Sequence, residues 1–233
     1  MTDTPHASLD RIDLFRSLSP EERAALAKQC AWRHFHAHEQ IVDQDSDTRD
    51  VCFIVDGRVR VVNHSLSGRE ITFDDVEAGG WLGELAAIDG EPRSASLVAL
   101  TETWVAFMSP RLFQETLKAH PEVGWMVMRR LARMIRQATG RIMDLSTLGA
   151  NNRVHAEILR LAKAGLKGDA TAAEISPIPI HSDIASRVST TRETVARVLS
   201  DLARDGLVIR RGNALVVTDF ERLETMVEDV RGT

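Results

Sequence analysis

From Pro121 to about Leu148 the chain meets no strong helix breaker other than Gly140, and this long helix constrains everything around it. Proline is well placed at a first helical position, where its missing N–H is no loss. Apolar residues recur at Val127, Leu131, Met134, Ala138, Ile142, Leu145 and Leu148, in steps of three and four. Such spacing draws a narrow seam suited to a partner helix. A helix packed on its own domain normally shows a wider apolar stripe. We read the seam as the contact of a parallel homodimer, with Leu148-Gly149-Ala150-Asn151-Asn152 as a hinge and Asn152 as the cap of the next helix.

Upstream, the pattern is different. Ser19-Pro20-Glu21-Glu22 is a helix start, with Ser19 as N-cap and Glu22 completing a capping box. From about Trp32 to Met108 short β-rich runs alternate with turn residues: Val51–Val55, Val59–Val62, Glu70–Phe73, Ser96–Leu100 and Thr103–Phe107. Asp56-Gly57 reads as a hairpin turn between the first two runs. Several short strands at this spacing suggest a small barrel or jelly-roll.

Downstream, His181–Ala203 divides into two short helices. Ser182 can cap the first, which buries Ile184, Ala185 and Val188. Ser189-Thr190 makes the turn. The second helix starts near Thr191 and buries Val195, Val198, Leu199 and Leu202. Ala185 is small where the helices must cross, as a helix-turn-helix requires. Leu207–Val217 then reads as a β-hairpin turning at Gly212-Asn213, which makes the unit a winged helix. Arg192, Glu193 and Arg197 project together from the start of the second helix. Arginine forks suit guanine O6 and N7, and a carboxylate accepts from cytosine N4. Thr190, Thr191, Arg187 and the wing residues Arg210 and Arg211 are candidates for phosphate contacts. Each residue also has a plainer role: Glu193 as the capping-box partner of Thr190, and Arg197 as its ion-pair partner one turn on. The whole constellation favours double-stranded DNA as the partner.

Charge agrees with this division of labour. The 233 residues carry a net charge of −5, but residues 1–124 hold 12 basic and 21 acidic side chains, against 17 and 13 in residues 125–233. Any DNA contact belongs to the second half. No apolar run approaches the roughly 20 residues of a membrane span, and the polar N-terminus has no signal-peptide core, so a cytoplasmic location without membrane contact is expected. Two cysteines, Cys30 and Cys52, support neither a disulfide framework nor a four-cysteine iron–sulfur centre; their apolar neighbours make them packed thiols.

With the segment Thr191-Arg-Glu-Thr-Val-Ala-Arg-Val-Leu199 in view, the chain closely resembles the cyclic-AMP receptor protein/fumarate–nitrate regulator (Crp/Fnr) superfamily over nearly its full length, and its cyclic-AMP receptor branch in particular. In that family the matching Arg, Glu and Arg read a TGTGA-type half-site. Ser189 stands where the family's turn often has Gly. A second match is Gly83-Glu-Leu-Ala-Ala-Ile-Asp-Gly-Glu-Pro-Arg-Ser-Ala95, which resembles the family's phosphate-binding cassette. Arg93 can offer its fork of donors to a cyclic phosphate, with Ser94 and the N–H of Ala95 assisting. Glu84 can accept from a ribose 2′-hydroxyl, next to Leu85, and Gly83 permits close backbone approach. The plainer alternative is a barrel turn with a surface Glu84–Arg93 salt bridge. Family hydroxyls that meet the base fall on Ala138 and Thr139, so only Thr139 keeps one; cyclic AMP is the implied allosteric effector and cyclic GMP the alternative.

The resemblance implies an α+β architecture: residues 1–120 a cyclic-nucleotide-binding β-roll (jelly-roll), 121–150 the dimerisation helix and hinge, and 151–233 a winged helix-turn-helix. It also implies RNA polymerase as a partner, met in relatives near Gly165–Ile175. The function expected is a cyclic-nucleotide-responsive dimeric transcription regulator of a palindromic operator, the alternative being a regulator of the same build with another effector or constitutive DNA binding. No Walker motif, kinase signature or nucleophile–base arrangement points to an enzyme. His34, His36 and His38 alternate on one strand, which invites a metal reading against the default of a solvated strand face and no metal. Asp74 and Asp75 point to opposite faces and cannot converge as an acid–base pair.

Overall fold

The structure, a computed structural model, describes residues 7–64, 70–166 and 171–232. They form two compact units, Met1–Met134 and Ile135–Thr233, divided inside one long helix.

The first unit begins with a 3-10 turn at Asp13–Phe15 and helix α1, Pro20–Ala27. Its capping box forms as the sequence requires: Glu22 N–H donates to Ser19 Oγ at 3.2 Å, and Ser19 N–H to Glu22 Oε2 at 2.8 Å. The strands follow as β1 (Ala31–Phe35), β2 (Gln40–Val42), β3 (Val51–Asp56), β4 (Arg58–His64), β5 (Glu70–Glu77) and β6 (Trp81–Leu82). After α2 (Glu84–Asp89) come β7 (Ser96–Ala99) and β8 (Thr103–Met108). Two four-stranded antiparallel sheets result, ordered β1-β8-β3-β6 and β2-β7-β4-β5. Between the sheets lie Ile54, Val59, Leu97 and Val105, while Phe53, Val55 and Met108, on the other face of the first sheet, pack with Phe15, Phe113 and Val123.

The Asp56-Gly57 turn does not join a hairpin pair. β3 and β4 lie in different sheets, and Gly57, at φ +87°, turns the corner between them. A Cβ there would strike Glu102 O and Thr103, so only glycine fits. The three-histidine face also fails. β1 ends at Phe35, and His38 sits beyond it in a turn at φ +69°. Asp75 is taken by Arg60 across the β4–β5 ladder, at 2.8 and 3.1 Å.

Helix α3 (Pro110–Ala119) leads into α4 (Pro121–Thr147). Val127 is only 3% exposed and belongs to the first unit's core, while Leu148 lies in the core of the second. The expected seam is therefore shortened at both ends. Met134, Ala138, Ile142 and Leu145 are exposed and Leu131 is partly covered, with Met128 and Ile135 exposed beside them.

The second unit continues with α5 (Ala150–Gly165), β9 (Ala173–Ile175), α6 (His181–Arg187), α7 (Arg192–Arg204), β10 (Val208–Arg211), β11 (Ala214–Val217) and α8 (Phe220–Arg231). Its core gathers Val154, Ile158, Ile184, Val195, Leu202, Leu207, Val217 and Leu223. The third sheet, β10-β11-β9, holds the expected wing, with Arg211 opposite Ala214 around Gly212-Asn213. The expected hinge shrinks to Leu148 and Gly149. Gly149, not Asn152, is the N-cap of α5, and Asn152 lies inside the helix. Likewise Ile180, not Ser182, caps α6, without a side-chain bond. Residues 167–170 of the segment expected near a polymerase lie outside the described residues. Among the described residues, no helix is long and apolar enough to cross a membrane.

Candidate functional site

Gly83 precedes α2 in the left-handed region, at φ +85°. A Cβ there would collide with Arg93 Nη1 and stand 3.0 Å from Asp50 O, so glycine is what lets the Arg93 side chain lie against this backbone. Arg93 is 5% exposed. Its Nη2 donates to Asp50 O at 2.9 Å and to Thr48 Oγ1 at 3.4 Å, and its Nη1 to Gly83 O at 3.4 Å. Its Nε is buried with no partner among the described residues. A buried guanidinium with an unused donor is costly unless something completes it. Ser94 beside it is exposed and Ala95 partly so.

Glu84 is buried at 2%. The alternative, a surface pair with Arg93, does not form; Glu84 meets Arg130 of α4 instead, with Nε to Oε1 at 3.3 Å. The Arg130 guanidinium also lies over the Trp81 ring, 4.9 Å from its centre. Burial forced this choice: a carboxylate this enclosed needs a cation inside, and Arg93 is occupied by carbonyls. Leu85 is half-buried. Thr139 is exposed on α4 and belongs to the second unit. Arg130 escaped the sequence reading, although a basic residue at the edge of the apolar spacing was visible there.

In the second unit, Ser189 turns the chain at φ +52°, a left-handed conformation that glycine adopts more readily than serine. Thr190 N–H donates to Ala185 O at 3.0 Å, closing the turn. Thr191 is the N-cap of α7, accepting from Thr194 N–H at 3.2 Å. The capping box of Thr190 with Glu193 therefore does not form. Glu193, one residue closer to the cap than a box needs, accepts from its own N–H and from the Thr191 hydroxyl, which with nearby Arg192 holds its carboxyl below the ordinary range. Arg192, Glu193 and Arg197 are all exposed on one end of α7, whose other side buries Val195, Val198 and Leu202. Arg197 donates to Asn151 Oδ1 at 3.2 Å rather than pairing with Glu193; Asn151 is a neighbour the sequence did not reveal.

Arg187 departs from expectation. Its side chain is 9% exposed and stands 3.9 Å from Glu157, itself 6% exposed. The same carboxylate takes two bonds of 2.7 Å from Arg160. Arg187 thus serves as a largely enclosed counter-charge to Glu157. Arg210 and Arg211 stay exposed on the wing.

Comparison with known proteins agrees with both halves. Residues 32–120 match the cyclic nucleotide-binding domain and residues 152–226 the Crp-like helix-turn-helix domain. The cyclic AMP receptor protein of Thermus thermophilus is 31% identical over 196 residues, covering 84% of this chain and 87% of that protein. The chain belongs to the Crp/Fnr family of transcription regulators. It is a regulator and not an enzyme. The CRP-like cAMP-activated global transcriptional regulator of Mycobacterium tuberculosis is 26% identical over 215 residues, covering 92% of this chain and 96% of that protein. A structure of a CooA mutant from Carboxydothermus hydrogenoformans shares the fold, with a TM-score of 0.80 at 21% identity over 95% of this chain and 99% of that one.

Proposed function

We propose that this Crp/Fnr regulator is a homodimer that binds a cyclic nucleotide and then reads a palindromic, TGTGA-like operator in double-stranded DNA. The observation that carries the reading is Arg93: a buried guanidinium with an unpaired Nε, held by glycine against the strand that leads to buried Glu84. Those groups fit a cyclic 3′,5′-nucleotide. Arg93 and Ser94 supply donors for a phosphate, the backbone of Ala95 another, and Glu84 an acceptor for a free 2′-hydroxyl. Cyclic AMP is the effector we favour, because similar regulators from Mycobacterium tuberculosis and Thermus thermophilus are named for it. Thr139 is the hydroxyl left to select the base, and cyclic GMP is the alternative.

The effector acts by shifting a population between two states, and its leverage equals its difference in affinity for them. In the reading state two copies of α7, paired through the exposed seam of α4, face successive major grooves about 34 Å apart. Arg192 and Arg197 bond guanines and Glu193 a cytosine, while Thr190 and Thr191 hold phosphates. RNA polymerase is the downstream partner, and the protein works in the cytoplasm. A different effector, or constitutive DNA binding, is favoured by one feature only: Arg130 already holds Glu84.

Calorimetry with cyclic AMP and with cyclic GMP, followed by operator titration in the presence of each, tests the proposal. One nucleotide per chain, with operator affinity raised by the nucleotide that binds, is expected. Operator affinity that is unaffected by either would exclude the mechanism.

A further inference from the structure

On the face of the first unit, the end of β1 meets the turn before β8. His34 pairs with Trp104 and Phe35 with Thr103, so the next residue on each strand, His36 and Glu102, come opposite one another. Glu102 Oε2 lies 3.0 Å from His34 Nε2 and 3.2 Å from His36 Nδ1. All three potential ligand atoms lie within 4.8 Å of one another. His34 is braced against the Trp104 ring at 5.0 Å, and the two imidazoles stand edge to face at 5.2 Å. The turn that carries His36 is fixed by its N–H, which donates to Glu39 Oε2 at 2.8 Å.

We propose that His34, His36 and Glu102 form a surface site for a divalent transition-metal ion of the zinc class. Two imidazoles and a carboxylate are donors that zinc and its neighbours accept, whereas calcium and magnesium prefer oxygen alone. Nitrogen and oxygen ligands about 2.0–2.1 Å from a tetrahedral ion stand about 3.3 Å from each other. The two distances onto Glu102 are already close to this, so small side-chain rotations suffice to place a metal between the three. The site is open to solvent on its outer side, where water completes the coordination. Its ligands come from segments 66 residues apart, and an ion there clips the end of β1 to the β7–β8 turn. His38 takes no part; its turn at φ +69° separates it from the other two.

The full-length chain, free of affinity tag and stripped by chelation, is titrated with zinc against a chromophoric chelator, and with cobalt(II) followed by visible absorption. One saturable ion is expected at this site. His34→Ala and Glu102→Gln each weaken zinc by roughly tenfold or more, and His38→Ala leaves it unchanged. Zinc also raises the thermal midpoint of the wild-type chain and of His38→Ala, but not of His34→Ala. The ligands are exposed, so circular dichroism is expected to show all three variants folded. Absence of saturable zinc binding in the wild type overturns the proposal, as does wild-type affinity in folded His34→Ala and Glu102→Gln.

Discussion

Arg187→Met separates two roles that a cation beside a helix-turn-helix can have. The substitution keeps an aliphatic stem and removes the charge. Arg187 stands 3.9 Å from a carboxylate that is as enclosed as itself. At that separation two unit charges attract by about 4 kcal/mol at an effective dielectric of 20, and removal of one partner from a buried pair costs about 3–5 kcal/mol. Here Arg160 stays on Glu157 through two bonds of 2.7 Å, so the carboxylate keeps one counter-charge. A loss of about 2–3 kcal/mol from the second unit follows. All four tryptophans, Trp32, Trp81, Trp104 and Trp125, lie in the first unit, so urea unfolding read by tryptophan fluorescence reports that unit alone. Far-UV circular dichroism reports both, and the early loss of helix in the variant should have no fluorescence counterpart. Binding to a TGTGA palindrome across a salt series supplies the second readout. A phosphate-contacting arginine lowers the slope of log affinity against log salt by about 1; an inward arginine leaves it unchanged. Wild-type stability together with a slope reduced by about one would refute the internal assignment.

Three further outcomes are expected. Ile142→Glu places a charge on the exposed seam of α4, where the side chain is 63% exposed in the single chain; sedimentation should show a folded monomer, and an unchanged dimer would exclude that face as the contact. Ser189→Gly relieves a left-handed φ of +52°, whose cost to an L-residue is about 1–2 kcal/mol, while glycine gives back up to about 1 kcal/mol in unfolded-chain entropy. The net gain of about 0.5–1 kcal/mol is measurable in urea, and a loss of stability would contradict it. Burial holds His155 below the ordinary 6.5, Asp201 opposing this only in part. The unfolded chain then binds more protons, so the contribution of His155 is complete above 6.5 and fades as pH falls below it. The second unit should unfold at lower urea near pH 5.5 than near pH 7.5, and His155→Gln should flatten the difference; equal slopes for the two chains would contradict the burial effect.

What was legible in the sequence was local. The capping box at Ser19 and the wing around Gly212-Asn213 depend on neighbours a few residues away, and they stand where the spacing put them. The exposed triplet Arg192, Glu193 and Arg197 follows from the helical period of Val195, Val198 and Leu202. What was hidden depends on which surfaces meet. Glu84 found Arg130 46 residues away, and Arg187 found Glu157 across two helices. Both cations look solvated in a linear reading, because their partners come from elements whose packing the period does not specify. The seam of α4 was shortened for a related reason. Val127 and Leu148 carry the right spacing but are claimed by separate cores at the two ends, while Met134, Ile142 and Leu145 between them stay exposed. Asp56-Gly57 has hairpin chemistry, yet a sharp glycine corner serves equally to leave one sheet for another.

Arg153 touches three places at once. Its Nη1 bonds Leu148 O at the tail of α4, its Nε bonds Val188 O at the end of α6, and its Nη2 bonds Ser189 O in the turn before α7. Asp144 adds a second rivet, taken by Arg231 of α8 at 2.7 and 3.0 Å. With the joint at Leu148 and Gly149 pinned in this way, the lower part of α4, the turn before α7 and α8 are riveted into one piece. On the proposed DNA reading, the angle at which Arg192 meets the bases would then follow the lower part of α4, because the joint leaves little play.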